Sequence, residues 1–236
     1  MITLYRFGLF LGAPDSSPFV IKTMMLLKLA GLEYRAVQGN PLKAPMRFLP
    51  LIDDDGVVVA DSTLIRRHLE RKYKCDFDAA LTREQRAQGW AIERMCEDHL
   101  YFAMLENRWL DPINFRKGVA TMFGVIPAPL RPISRVALRR MNAARLRGHG
   151  LGRHSTADIA ELAACDIAAL ATMLGNKPYL MGDEPCGTDA SLFGMVTSIL
   201  TPPLESPLRD AMNKHRNLVA YRDRLTQRYF AAPDPP

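Results

Sequence analysis

Cysteine is scarce in this chain. Cys75, Cys96, Cys165 and Cys186 are the only four in 236 residues, and none falls in a C-x-x-C or paired metal-ligand spacing. Cys96 and His99 make only a lone pair on one helix face, short of a zinc set. A disulfide-stapled scaffold and a metal module are thereby excluded, and free thiols in a reducing compartment are expected. Long apolar runs are absent too: no segment reaches the roughly 18 to 20 residues that a bilayer span requires. The opening MITLYRFGLFLGAP is short, contains Arg6 and has no basic lead, so it reads as a first strand and not as a signal peptide. A cytoplasmic protein with no membrane span is the expectation. The five histidines show no H-E-x-x-H spacing, there is no G-x-S-x-G elbow, and no Gly-rich phosphate loop follows a strand. Aromatic residues do not interleave with the basic ones as a base-stacking surface would need, so no nucleic-acid partner is expected. No internal repeat or low-complexity tract occurs.

What the chain does have is a globular composition, 48% hydrophobic and 24% charged, with a formal net charge of +6. That suits one or two domains with a sizeable core. Basic residues are densest in RPISRVALRRMNAARLRGHGLGR, Arg131 to Arg153. The run could attract phosphate or an anionic surface, but Ile133, Val136, Leu138, Met141 and Leu146 recur near helical spacing. That spacing predicts a helix whose apolar stripe is buried and whose arginines form the solvated face.

Periodicity along the chain gives a strand in ITLYRF and a helix in SPFVIKTMMLLKLAG, with Ser at its cap, Pro in the first turn and Gly31 at its end. EYRAV reads as a second strand, PLID and GVVVA as a hairpin around Asp55-Gly56, and STLIRRHLERKY as a closing helix. The order is βαβ then ββα. From about Thr82 strand signals stop. TREQRAQGWAIERMCEDHLYFAMLENRWL reads as one long helix, and further helical runs fall near 130–147, 155–174, 188–200 and 215–229. The boundary is expected near KCDFDAAL, residues 74–81, and AAPDPP reads as a frayed tail.

Three positions carry chemistry. Pro50 lies between apolar residues at the entrance to the third strand; a cis X-Pro bond there would turn the Leu49 backbone outward. Asp61-Ser62 opens a helix, where free N–H groups and the positive dipole end favour a carboxylate, and where either residue could also be a plain cap. Ser17 stands just before the first helix and offers a hydroxyl next to another helix N-terminus. Ser16 is adjacent, and Tyr5 on the first strand is a less well-placed hydroxyl. Asp189 should serve folding by holding N–H groups at its helix start, with Cys186 in the cap place. His68 and His99 read as packed or solvated, and Glu97 and Asp98 are adjacent and not a facing pair. Trp90, Tyr101, Phe102 and Trp109 could wall an apolar pocket or belong to the core.

A small βαβ-ββα unit followed by helices only, with Leu49-Pro50 and Asp61-Ser62 in these places, resembles the glutathione S-transferase superfamily over nearly the whole chain. SPFVIKTMMLLKLAGLEYRAV, DSTLIRRHLERKY, ERMCEDHLYF and PYLMGDEPCGTDASLFG look most like its branch of FAX-like, metaxin-related and bacterial glutathione transferase-like proteins. The resemblance implies an α/β thioredoxin-like domain over 1–75 and an all-α domain over 82–236. It implies a cis Leu49-Pro50 bond, a glutathione site at Leu49, Pro50, Asp61 and Ser62, and thiol activation by Ser17. Glutathione would be the co-substrate with no metal, and a small electrophile its partner. A homodimer through the first domain's last helix and the long helix after Thr82 is also implied; acidic residues on that helix reach a neighbouring subunit's ligand in some transferase dimers, and Asp98 could do so here or could simply be solvated. A non-catalytic adaptor of metaxin type is the alternative. Three features depart from the family pattern: the long loop GLFLGAPDSS, Cys186 where Ser or Thr is usual, and Phe48, beside Arg47, where a basic residue is usual.

Overall fold

The computed structural model describes residues 1–201 and 203–231; the AAPDPP tail beyond Ala231 lies outside them. The four strands are β1 (Ile2–Arg6), β2 (Tyr34–Gln38), β3 (Leu51–Asp54) and β4 (Val57–Ala60). They form a mixed sheet in the order β2-β1-β3-β4, with β1 and β2 parallel and the other pairs antiparallel. The first unit is thus βαβ and the second a hairpin, as the periodicity predicts. Asp55 and Gly56 take positive φ in the hairpin turn, the backbone that a two-residue connection demands.

Helix α1 (Pro18–Leu29) joins β1 to β2, and α2 (Ser62–Tyr73) follows β4. Val20, Ile21, Met24, Met25, Leu26 and Leu27 of α1 are all buried, because the helix lies between the sheet and a later helix and has no solvent face. That later helix, α8 (Gly187–Ile199), is buried at every residue. The two approach closely at Gly194, where an added Cβ would fall 2.4 Å from the carbonyl oxygen of Pro18.

The long helix after Thr82 is present as α3 (Arg83–Arg94), a π-helical turn (Met95–Leu100) and α4 (Tyr101–Trp109) in direct succession. Thr82 and Gln85 cap it reciprocally. Helices α6 (Arg131–His149), α7 (Thr156–Leu174) and α10 (Arg216–Tyr229) match the predicted runs. Two short helices, α5 (Pro112–Lys117) and α9 (Pro207–Asn213), were not foreseen. Asp189 is buried at the start of α8, where its carboxylate accepts from the Cys186 and Leu180 amides and from Tyr221 Oη at 2.8 to 3.0 Å. The predicted folding role holds. His68 shares the buried Asp54 carboxylate with Lys72 and Tyr73, which ties β3 to α2.

Helix α6 meets the expectation in part: Leu146 is buried, Leu138 packs against the core, and Arg140, Arg145 and Arg147 are exposed, but the remaining apolar residues and arginines exchange places. Ile133, Val136 and Met141 are 69, 52 and 57% exposed, while Arg131, Arg135 and Arg139 turn inward. Arg131 donates to the Ile126 and Gly124 carbonyls, Arg135 to Ala120 O and Arg139 to Leu110 O. Arg135 and Arg139 also lie over the rings of Phe123 and Phe115. The 3-10 helix Val119–Val125 and its C-cap Ile126 leave carbonyls that need donors, and guanidinium groups spaced four apart supply them.

Candidate functional site

The sheet register brings the three chemical positions to one end. Tyr5 of β1 pairs with Leu51 of β3, and Leu51 pairs with Ala60 of β4. The chain therefore leaves β1 toward Ser17, enters β3 from Leu49-Pro50 and leaves β4 into Asp61-Ser62 at the same edge of the sheet. The Leu49–Pro50 bond is cis, and the Asp61 amide donates to Pro50 O at 3.3 Å, joining two of the three. Among the described residues no backbone hydrogen bond joins Leu49 to the rest of the chain. Lys22, one turn into α1, donates to Thr63 Oγ1 at 3.3 Å, so the starts of α1 and α2 also meet.

At α2 the cap is Asp61 and not Ser62. Asp61 has φ 78°, and its Oδ1 accepts from the Thr63 and Leu64 amides at 2.8 and 3.1 Å. Ser62 is the first helical residue and is buried at 3% exposure. With two first-turn amides taken by Asp61, the N–H and hydroxyl of Ser62 remain the donors for an anion at this helix start. At α1 the cap is Ser17, whose Oγ accepts from the Val20 amide at 3.4 Å. Its hydroxyl proton is thereby directed away from the helix. Ser16 contributes its backbone: its carbonyl accepts from Arg108. Tyr5 stands inside β1, half-buried against the core.

Two residues that sequence reasoning missed hold this loop. Asp15 is wholly buried, with Oδ1 accepting from the Ser17 amide at 2.9 Å and Oδ2 from the Gly8 amide at 2.8 Å. Burial raises its carboxyl to about 7, against the lowering effect of those amides and of Arg6. Arg108, on α4, donates to Ser16 O at 2.7 Å and Ser198 O at 2.6 Å and lies over the Phe10 ring. Burial lowers its guanidinium to about 10, opposed by Tyr101 and Asp15. Only the Asp-Ser-Ser-Pro order, an acid two residues before a helix cap, hinted at Asp15.

Tyr101 sits two turns before Arg108 on α4 and packs edge-on against Phe19 at 4.7 Å. Phe102 follows at 5.3 Å from Tyr101 and stacks on His149 at 3.7 Å. Arg145 lies over both rings. An aromatic wall thus extends from the start of α1. The other two aromatics considered lie apart from it: Trp90 is 49% exposed between Arg67 and Arg94, and Trp109 packs on Phe115.

Behind the site, buried Lys22 pairs with Glu93 at 3.1 Å and Glu97 at 2.6 Å. Glu97 also accepts from Ser191 and Arg94, and Glu93 from Arg66. Burial pushes Glu97 up, but the charge and hydrogen bond of Lys22 outweigh it and hold the carboxyl below its ordinary value. Glu97 is therefore a structural ion, while Asp98 is exposed and paired with Arg94. Burial pushes the thiols of Cys96 and Cys186 up, which disfavours thiolate at either. His99 pairs with Asp166 at 2.5 Å. Among the described residues no cluster of His, Cys, Asp and Glu could hold a metal ion.

Family models of the glutathione S-transferase N-terminal domain and C-terminal domain match residues 18–114 and 163–225. The chain belongs to the glutathione S-transferase family. It is 33% identical to the isoprene-epoxide glutathione S-transferase of Rhodococcus sp. (strain AD45), across 97% of this chain and 99% of that one. It is 32% identical to Failed axon connections of Drosophila melanogaster, covering 98% of this chain and 58% of that protein. Metaxin-2 of Mus musculus is 26% identical over 85% of this chain and 74% of its own length. In fold it is similar to the beta-etherase LigF of Sphingobium sp. strain SYK-6, with a TM-score of 0.69 at 18% identity, covering 99% and 96% of the two chains.

Proposed function

We propose that this protein is a catalytic glutathione S-transferase, binding glutathione at the shared sheet edge and activating its thiol for attack on small apolar electrophiles. The observation that carries the reading is the convergence of Ser17, Leu49-Pro50 and Asp61-Ser62 at the end of the sheet defined by the Tyr5, Leu51 and Ala60 pairing. Glutathione has parts to match. Its cysteinyl peptide can pair with the free backbone of Leu49. Its γ-glutamyl carboxylate can accept from the Ser62 amide and hydroxyl, where the α2 dipole adds attraction. Its ammonium would lie beside Asp61, whose second carboxylate oxygen is not needed by the cap.

The sulfur then falls to Ser17. A hydroxyl donor together with the α1 N-terminus favours thiolate over thiol and lowers the thiol pKa from roughly 8.5 toward 7 or below. The thiolate attacks an electrophile resting on Phe19, Tyr101 and Phe102, whose faces suit an apolar substrate. A homodimer through α2 and α3 and a cytoplasmic setting for the unpaired cysteines complete the proposal. Light scattering that finds a 26.5 kDa particle at micromolar concentration would reject the dimer. A second reading, a binding protein without catalysis, draws on the similarity to Failed axon connections and metaxin-2.

Calorimetric titration with glutathione, followed by a conjugation assay with a small epoxide, separates the two. Saturable binding and turnover are expected; absence of binding favours the adaptor. Ser17→Ala should leave affinity nearly intact while slowing conjugation most near neutral pH, with partial recovery as pH rises. An unchanged pH profile in Ser17→Ala and a shifted one in Ser16→Ala would transfer the role one residue back.

A further inference from the structure

The charge of this chain is unevenly distributed. Between Pro112 and Ala157 stand nine of the 31 basic residues and none of the 25 acidic ones, so that segment carries +9 and the remainder −3. Its long element is α6, the helix whose arginine stripe points inward. With Arg131, Arg135 and Arg139 committed to carbonyls and rings, the outward face shows Leu130, Ile133, Val136 and Met141, 52, 69, 52 and 57% exposed. Arg140 and Arg147, both exposed, share that face. At 3.6 residues per turn these six residues span about 140° of the helix circumference.

Burying such a face needs an occupant that accepts aliphatic side chains and offers negative charge beside them. A second copy of the chain offers the first but not the second: apposed α6 faces would set Arg140 and Arg147 against their own equivalents and bring two +9 segments together, a like-charge contact that is costly. The face also lacks the aromatic anchors around which protein interfaces concentrate their energy. A convex single-helix stripe of aliphatic residues flanked by arginine is the pattern of a helix lying in a bilayer interface. There apolar side chains enter the acyl boundary and guanidinium groups meet lipid phosphates.

We propose that the outward face of α6 docks this protein on anionic phospholipid surfaces, with the helix axis parallel to the bilayer. This inference does not depend on the transferase reading.

Flotation of the full chain with vesicles of phosphatidylcholine and phosphatidylglycerol, and with phosphatidylcholine alone, tests the proposal. The wild type should float with the mixed vesicles only, and less as salt rises. Ile133→Asp/Val136→Asp and Arg140→Ser/Arg147→Ser should each weaken binding about tenfold with glutathione affinity unchanged. Thermal melts establish that each variant is folded; if the aspartate pair fails to fold, the serine pair decides. Equal flotation with both vesicle types, or wild-type binding by a folded variant, would overturn the proposal. So would a concentration-dependent dimer that Ile133→Asp dissolves, which would assign the face to a second copy.

Discussion

The Asp15 carboxylate bridges the two ends of the loop that carries Ser17, accepting from the Ser17 amide at 2.9 Å and the Gly8 amide at 2.8 Å. A buried carboxylate that receives two amides fixes the backbone in front of α1, and it does so at a cost that shows in its acidity.

That acidity sets a pH dependence of stability. The Asp15 carboxyl rises by burial from 3.8 to about 7 in the folded chain. The folded state therefore retains a proton that the unfolded state has released between those values, so this residue's contribution to stability falls as pH climbs from about 4 to about 7 and is level above. Asp15→Asn removes the titration. Relative to wild type, the variant should gain on the order of 2 to 3 kcal/mol between about pH 5 and about pH 8. Urea unfolding at the two pH values measures the difference; a constant gap would mean that Asp15 ionises at its ordinary value.

The Lys22 cluster predicts a large loss from a conservative change in shape. Lys22→Met keeps the apolar stem but removes the cation that Glu93 and Glu97 share, leaving each buried carboxylate with a single cation, Arg66 and Arg94 respectively, which should cost about 1.5 to 3 kcal/mol. Adding Glu97→Gln should restore part of it. The pH behaviour runs opposite to that of Asp15: the lowered Glu97 carboxyl stabilises fully above its unfolded pKa, and that contribution is lost as pH falls through the folded value. A loss below about 1 kcal/mol in denaturant unfolding would indicate a cluster screened by water.

Local pattern made most of the fold legible. Alternation in ITLYRF, the Asp-Gly turn, and the Ser17-Pro18 helix start each act within a few residues, and each element appears where its pattern stands. Helix α6 misled because its arginines at 131, 135 and 139 are as periodic as its apolar residues. Which stripe turns inward depends on the Ile126, Gly124 and Ala120 carbonyls that await donors. Ser17, Leu49, Pro50, Asp61 and Ser62 were nameable through family resemblance. The exchange of cap and first-turn roles at Asp61 and Ser62 was not, since either side chain can cap. Arg108 had no local signal: it meets Ser16 across 92 residues of sequence.

Ser62 offers a clean separation of binding from folding. Because Asp61 supplies the cap, Ser62→Ala should change stability little while weakening glutathione binding by one hydrogen bond to a charged group, about 1.5 to 3 kcal/mol. Calorimetric titration beside a thermal melt gives both quantities. Unchanged affinity would remove Ser62 from the proposed site.

Gly194 tests whether the α1–α8 contact governs the position of Ser17. A Cβ at this residue would lie 2.4 Å from Pro18 O and 3.4 Å from Lys22 N, and the nearer atom is backbone that cannot rotate away. Gly194→Ala must therefore push α8 from the first turn of α1. Overpacking of this kind costs about 1 to 3 kcal/mol, part of which the added helix propensity of alanine offsets. The displaced turn begins at Pro18, next to Ser17, and α8 also holds the Ser198 carbonyl to which Arg108 is anchored. Turnover should consequently fall more than the melt predicts: a hydroxyl moved by a fraction of an ångström stabilises thiolate less well, whereas the Ser62 end of the site keeps its glutathione affinity. The expected outcome is a lowered kcat with KM for glutathione nearly unchanged, in a protein folded at the assay temperature. A stability loss with kcat intact would show that the first turn of α1 absorbs the shift without moving Ser17.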